Sequence, residues 1–522
     1  MVDRSLILLH RFCFWMILIT FPRLSYADPA IQQEFLQMVP GGKVDLDLIV
    51  EIAYRYSDAA QILKAELDYK DQALLEATAQ NRLERSLSNE LVFINDRFEA
   101  ISPFNPDTSR TIRFQSRFVQ QMDSGTSIDA SLTLLNTSQD LSEQARIFGF
   151  RESFAQGEAA LTLRQSLWSN RLGQATRKEL EAAKLSPQAI DLQYQSELGR
   201  WFLDLSEIYY QAWLAQRNVE ANEERLRTQK RLLQITRLSL RRGTAEQADI
   251  LNIESQVLLA ERSLADAVKQ LQDIWRQLLV ALKLPEKFFQ VDPQEVPLVK
   301  KDQSPEWQRL CSASAGQTNP AENNPQLAAL NTAIERLRLQ ADAGADRLKP
   351  DLYGLLGVST NSYGSSLEAS FGETARLEHP RLTAGLGISM NLDQAQERAG
   401  LSALQRQLKL LELEQTMLRD QLRVQWLNQC QEVERLQQAI QTQRQIIKMS
   451  QRRQKLEEER FQLGRVEILN VISASNDLIT ARQSLERSEQ QLSLVLWQLK
   501  NIRGEIAPYV VKVADRNLLK GR

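Results

Sequence analysis

Few residues in this chain are placed to make or break bonds. It has two histidines, His10 and His379, and three cysteines, Cys13, Cys311 and Cys430. Acid–base and nucleophilic catalysis need a nucleophile, a base and an orienting group that converge, and no stretch supplies that set. No Walker-type phosphate loop is present either. An enzyme is therefore disfavoured, and no cofactor, catalytic residue or metal site is expected. The polar residues whose spacing does suggest a task are Arg113, Gln115 and Arg117, which alternate with Ile112, Phe114 and Phe118. On a pore-lining strand these arginines would favour anions. On the wet face of a soluble hairpin they would do nothing of the kind.

The chain that positions these residues starts with basic Arg4 and Arg11, an apolar run from Phe12 to Phe21, and then Ser25-Tyr26-Ala27. That is the pattern of a secretory signal peptide over 1–27, with a retained anchor as the alternative. Cys13 lies within the apolar run, away from the position of a lipid acceptor. After cleavage His379 is the single histidine; Cys311 and Cys430 could pair in an oxidising compartment, but their spacing gives no support for a bridge, and buried or unpaired thiols are the favoured reading. Beyond the signal no run approaches the ~20 apolar residues of a membrane helix, so any crossing must use strands. With 64 basic and 66 acidic residues the chain has no basic field for nucleic acid.

Sliding the sequence along itself by 221 positions aligns "RRGTAEQADIL", around Gly243, with "QLGRVEILNVI", around Gly464. Ile250, Val257, Leu264, Leu271 and Leu278 then match Val471, Leu478, Leu485, Leu492 and Leu499, all seven residues apart. The reading is a duplication. The period predicts supercoiled helices, and it continues upstream through Leu198, Trp201, Leu205, Ile208 and Ala212, and through Leu404, Leu408, Leu411, Leu418 and Leu422. The absence of proline from about Gln394 to Leu463 predicts a helix roughly 100 Å long. Ser186-Pro187 reads as an N-cap followed by a first-turn proline. Each glycine reads as the tip of a long antiparallel helical hairpin.

Between the helices the period changes to two. In LTAGLGISMNL, Leu382, Ala384, Leu386, Ile388, Met390 and Leu392 share one face of a strand long enough to cross a bilayer. KPDLYGLLGVS is its expected partner, and ALTLRQSLW is the equivalent in the first half, with Trp168 suited either to an interfacial girdle or to plain packing at a helix–strand junction. TIRFQSRFVQQ and TSIDASLTLLN flank Met122-Asp123-Ser124-Gly125 as an additional hairpin. A proline-studded stretch from Pro285 to about Pro325 reads as a connector. The expected organisation is a signal peptide at 1–27, a first unit at 28–284, a connector at 285–323, a second unit at 324–505 and a tail at 506–522.

These features, with "NPQLAALNTAIERLRLQADAGADRLKPDL" and the two glycine tips, resemble the TolC-type outer membrane factor family, also called outer membrane efflux proteins. The resemblance implies a mainly α chain with membrane β: a duplicated TolC-like fold whose helical hairpins form a periplasmic tunnel. It implies a homotrimer that closes a shared barrel of twelve strands, four per chain, in the outer membrane of a Gram-negative cell. The physics agrees, since a few strands cannot close alone and lipid does not tolerate open edges. The additional hairpin then belongs either to the barrel or to an extracellular or periplasmic appendage.

By the same resemblance Arg242, Gly243, Thr244, Leu463, Gly464 and Arg465 would dock a periplasmic adaptor, and through it an inner membrane transporter. Family members carry acidic residues six and nine positions after the second glycine, ringing the closed entrance. Here those positions hold Asn470 and Ser473. Asp249 in the first half could supply a single ring, adjusted by Glu467 and Arg465; otherwise it is a carboxylate favoured at a helix N-terminus. The function implied is a passive exit duct of a tripartite efflux pump or a type I secretion system. The alternative is an exported coiled-coil scaffold with a small soluble sheet.

Overall fold

The computed structural model describes residues 29–39, 42–81, 85–97, 102, 104–300, 311 and 321–516. The expected signal peptide, Pro305, Pro320 and the last six residues lie outside them. In chain order the elements are α1 (Pro29–Met38), α2 (Leu46–Tyr56), α3 (Asp58–Asp68), α4 (Lys70–Asn81), β1 (Arg85–Arg97), β2 (Thr108–Gln121), β3 (Thr126–Asp140), α5 (Glu143–Ile147) and β4 (Ser153–Ser166). There follow α6 (Gln174–Lys184), α7 (Ser186–Arg241), α8 (Gln247–Ala281), α9 (Pro325–Arg347), β5 (Asp351–Gly364), α10 (Leu367–Ala375), β6 (Pro380–Ser389), α11 (Ala395–Gln462), α12 (Ile468–Ile502) and α13 (Ile506–Asp515).

Both hairpins, α7–α8 and α11–α12, take the predicted form. α11 has 68 residues, which at 1.5 Å per residue is roughly 100 Å. The seven-residue stripe sits in the packing: Leu271, Leu278, Val471 and Leu499 are fully buried, and Leu478 and Leu492 nearly so. Ser186 is not the N-cap. The cap position falls on Leu185, whose backbone is itself helical and whose side chain offers no acceptor, so α6 runs into α7 across a junction marked by Pro187. Side-chain caps form elsewhere: Asp45 Oδ1 accepts from Leu48 N at 2.9 Å, and Asn324 Oδ1 accepts from Gln326 N at 3.0 Å, just before Pro325.

Midway along the helices a girdle surrounds α7. Phe202, Tyr209, Tyr210, Trp275 and Trp497 pack with residues of α1, α2, α13 and the connector. The connector strand pairs Leu298 with Val44, and the Tyr209 hydroxyl reaches Val299 O at 2.7 Å and Val44 O at 3.0 Å. Cys311 and Cys430 are joined in a disulfide that ties the connector to α11. The expectation of unpaired thiols is thus corrected: a separation of 119 residues says nothing about approach when a connector folds back along a helix.

One six-stranded antiparallel sheet, in the order β1-β2-β3-β4-β5-β6, stands at the end of the helical body. The additional hairpin, β2–β3, lies inside this sheet, and Gly125, at φ +72°, makes its turn. β1 was not expected. Its apolar residues Leu87, Leu91 and Phe93 do alternate, but polar Ser88, Asn89 and Glu90 dilute the pattern. β6 ends at Ser389, so Met390 and Leu392 lie beyond it in the approach to α11, both exposed.

Candidate functional site

The strand registers run without a bulge, so each face can be followed from edge to edge. One row reads Leu87, Phe118, Ala130, Leu161, Val358, Leu382, each directly opposite the next. The row beside it, on the other face, reads Ser88, Arg117, Ser131, Ala160, Ser359, Arg381. Period-two sequence has become a sheet with one apolar and one polar side. The apolar side is not a core: Leu382 is 82% exposed, Leu386 79%, Phe93 71% and Leu87 65%.

α10 covers the far end of that apolar face, and it does so with its polar side. Ser370 and Thr374 are buried against Gly157 and Ser362. Ser362 Oγ donates to Ser370 O at 2.6 Å, while Leu367 and Phe371 point outward and are exposed. A side chain at Gly157 would collide with Thr374, so glycine is what admits the helix. At the opposite end of the strands Trp168 is half exposed. The polar face carries Arg113, Arg117, Arg164 and Arg381 together with Glu90, Asp96, Asp129, Glu158 and Asp351. Arg117 grips both carboxylate oxygens of Asp129, and Arg164 pairs with Asp351 at 2.6 Å while lying over Tyr353. Arg117 and Arg164 are thus answered by carboxylates, and no carboxylate is paired with Arg113 or Arg381 among the described contacts, so the face carries charge of both signs.

At the far end of the helical body both tips use one device. Gly243 N donates to Leu240 O and Thr244 N to Ser239 O; Gly464 N donates to Phe461 O and Arg465 N to Arg460 O. These paired bonds close a helix on a left-handed residue, and the glycines have φ +72° and +68°. The tips lie side by side, with Thr244 against Gly464, over a shared core of Leu232, Ile253, Phe461, Ile468, Val471 and Ile472. Arg242, Gly243, Thr244, Leu463, Gly464 and Arg465 are exposed, as are Glu467, Asn470 and Ser473. Asp249 is half-buried, and its carboxylate accepts from Glu246 N at 2.9 Å. Its observed work is to cap α8.

The family model described as Outer membrane efflux protein matches residues 319–505. Residues 319–505 belong to the outer membrane efflux protein family. Solved structures with this fold are described as outer-membrane channels. The fold, by contrast, is shared with solved structures over most of the sequence. The outer-membrane channel OprN matches with a TM-score of 0.62 at 13% identity, over 89% of this chain and 91% of that one. VceC from Vibrio cholerae gives 0.60 at 12%, over 88% and 96%. The open state of MtrE from Neisseria gonorrhoeae gives 0.57 at 12%, over 88% and 88%. No curated protein matches by sequence.

Among the described residues no helix is long and apolar enough to cross a membrane, and no cluster of metal-ligating side chains stands out. Sequence reasoning missed a second stripe on α11. Leu410, Leu413, Met417, Val424 and Leu427 are all exposed, and they repeat the seven-residue spacing that identified the buried one. The signal was present in the sequence. It is masked because Leu404, Leu408, Leu411, Leu418 and Leu422 offer a competing apolar side on the same helix.

Proposed function

We propose that this protein is a passive exit duct of an efflux assembly, a trimer whose sheets close a barrel in the outer membrane and whose helices line a tunnel across the periplasm. The observation that carries this reading is the apolar face that crosses all six strands and is left uncovered, apart from α10 at one end. Water would penalise such a face, whereas lipid accepts it. The open edges at β1 and β6 then require other copies, because unpaired backbone is not tolerated in hydrocarbon. The exposed stripe on α11 supports the same conclusion from the helices, since a coiled-coil seam without a partner is an interface awaiting one.

The rest follows from that architecture. The two repeats of helix, strands and hairpin are read as a duplicated unit, at 28–284 and 324–505, so that a trimer presents six tips. The tips, around Gly243 and Gly464, would meet a periplasmic adaptor, which couples the duct to an inner membrane transporter that supplies the energy. The duct itself does no chemistry. Type I secretion would use the same conduit, and cargo selection would lie with the partners. An exported scaffold would need something to cover the sheet, and the described residues supply only α10.

Electron microscopy of the full-length protein extracted in detergent tests the reading. Threefold hollow cylinders well over 100 Å long with a detergent collar at one end are expected. Recovery as a soluble particle without collar or threefold axis would reject it.

A further inference from the structure

We propose that the barrel has eighteen strands, with β6 of each copy sealed against β1 of the next, so that the pore through the membrane is about half again as wide as one of twelve strands, since diameter grows roughly linearly with strand number. This rests on the trimeric duct proposed above and specifies how it closes.

The first argument is continuity. β1 and β2 are paired into the sheet along their whole length, 13 and 14 residues, and β2 is paired equally fully with β3. A barrel of twelve strands would use β3–β6 alone and would have to break that ladder. Each of the six strands meets the ~9–11 residues a tilted membrane strand needs, the shortest being β6 with 10.

The second is sidedness. Leu87, Leu91 and Phe93 on β1, and Ile112, Phe114 and Phe118 on β2, lie on the same face as Leu161, Leu356 and Leu382. A solvated appendage would have no reason to carry the lipid-facing pattern in register with the membrane strands.

The third is height. The turn between β2 and β3 is fixed at the base of β4: Ser166 N donates to Gly125 O and Gln165 Nε2 donates to Ser124 O at 3.0 Å. A Cβ on Gly125 would meet Gly173 N at 2.8 Å. The hairpin therefore turns where the other strands meet the helices, and it spans the same band as they do.

The fourth is direction. An even count makes β1 run away from the helical body and β6 return to it, so the seal is antiparallel, like every other pair in the sheet. α4 leads into β1 and packs on α6 and α7, while α11 leaves β6 and packs on α9 and α12. α11 also bears exposed apolar residues, Leu410, Met417 and Val424, along its length. One head-to-tail operation joins β6 to β1 and α11 to α4 together, and three such contacts close a ring.

The test is cryo-electron microscopy of the full chain in lipid nanodiscs. It is joined by cysteine pairs across the proposed seal, Ser88→Cys or Glu90→Cys with Thr383→Cys or Gly385→Cys, chosen on the polar face. We expect eighteen strands, and disulfide-linked trimers on non-reducing gels for at least one pair. A threefold cylinder with twelve strands, with β1 and β2 outside the wall and no linked pair, overturns the eighteen-strand closure and leaves the duct standing. Particles without a threefold axis overturn the duct itself.

Discussion

α7 buries side chains along most of its 56 residues, from Tyr194 to Ser239, whereas α11, with 68 residues, buries only Leu422, Trp426, Val433, Leu436, Ile440 and Phe461. The tips of the two hairpins are nearly identical, so the difference lies in what surrounds the shafts. α7 is wrapped by the girdle of α1, α2, α13 and the connector, and it touches α8, α9 and α12. α11 has α9 at one end and α12 at the other. Two helices with the same seven-residue rhythm thus have different roles: α7 is the spine of one protomer, and α11 is its flank. Amphipathic rhythm reports that a helix will be packed, but not by which chain.

The comparison breaks most visibly at the flank. Met417→Glu with Val424→Glu places two charges on a stripe that is solvent-exposed in the single chain. If copies cover it, each interface loses about 3–6 kcal/mol of apolar burial, roughly a hundredfold or more in affinity. Mass measurement in detergent should then find monomers where the unaltered protein is trimeric. An intact trimer would show that the stripe faces something other than another copy.

The second anchor of α11 is covalent. Replacing Cys430 with Ser opens a loop of more than a hundred residues, for which the chain-entropy estimate is about 4–5 kcal/mol. Thermal unfolding of this variant should begin several degrees lower, and reductant should shift the original protein to the same point while leaving the variant unmoved. Indifference of the original protein to reductant would contradict a structural role for the bridge.

Legibility in the sequence follows this same division. The hairpins, their tips and strands β2 to β6 were readable because periodicity is local: Ile250 to Leu278 repeat every seven residues and Leu382 to Ile388 every two. The disulfide was not readable, since its partners meet only through the path of the connector. β1 was hidden by its polar Ser88, Asn89 and Glu90, although Leu91 and Phe93 mark its face. At β6 the alternation outlasts the strand, because Met390 and Leu392 keep the period after the pairing with β5 has ended at Asp351. Asp249 was visible as a carboxylate but not as a cap, which depends on the geometry of Glu246 N.

A smaller effect tests the likeness of the tips. Gly243→Ala and Gly464→Ala both force an L side chain into left-handed backbone, which costs about 1–2 kcal/mol. The surroundings differ little: a Cβ at 243 meets nothing within 4 Å, and one at 464 meets Thr244 Cβ at 3.5 Å, an ordinary contact. The two losses, measured by denaturant unfolding, should agree within about 0.5 kcal/mol, in the range found for independent sites. A clearly larger loss at 464 would mean that the second tip is more tightly held than the first.

A pH-dependent effect concerns the seam between α7 and α12, where the two hairpins meet. Glu486 lies there with Oε2 buried and without a hydrogen-bond partner among the described residues. Burial pushes its carboxyl up to about 7, with Glu220 and Glu489 adding to the rise and Arg217 and Arg482 opposing it. Between the ordinary carboxyl value and about 7 the folded chain therefore holds a proton that the unfolded chain has released. Stability must fall as pH rises through that window and level off above it. Glu486→Gln keeps the shape and removes the titration, so its stability curve should be flatter from pH 5 to 7, with the two curves parallel above that. Parallel curves throughout would mean that Glu486 stays hydrated in the assembled protein, and that the seam between the hairpins is wetter than the seam within each.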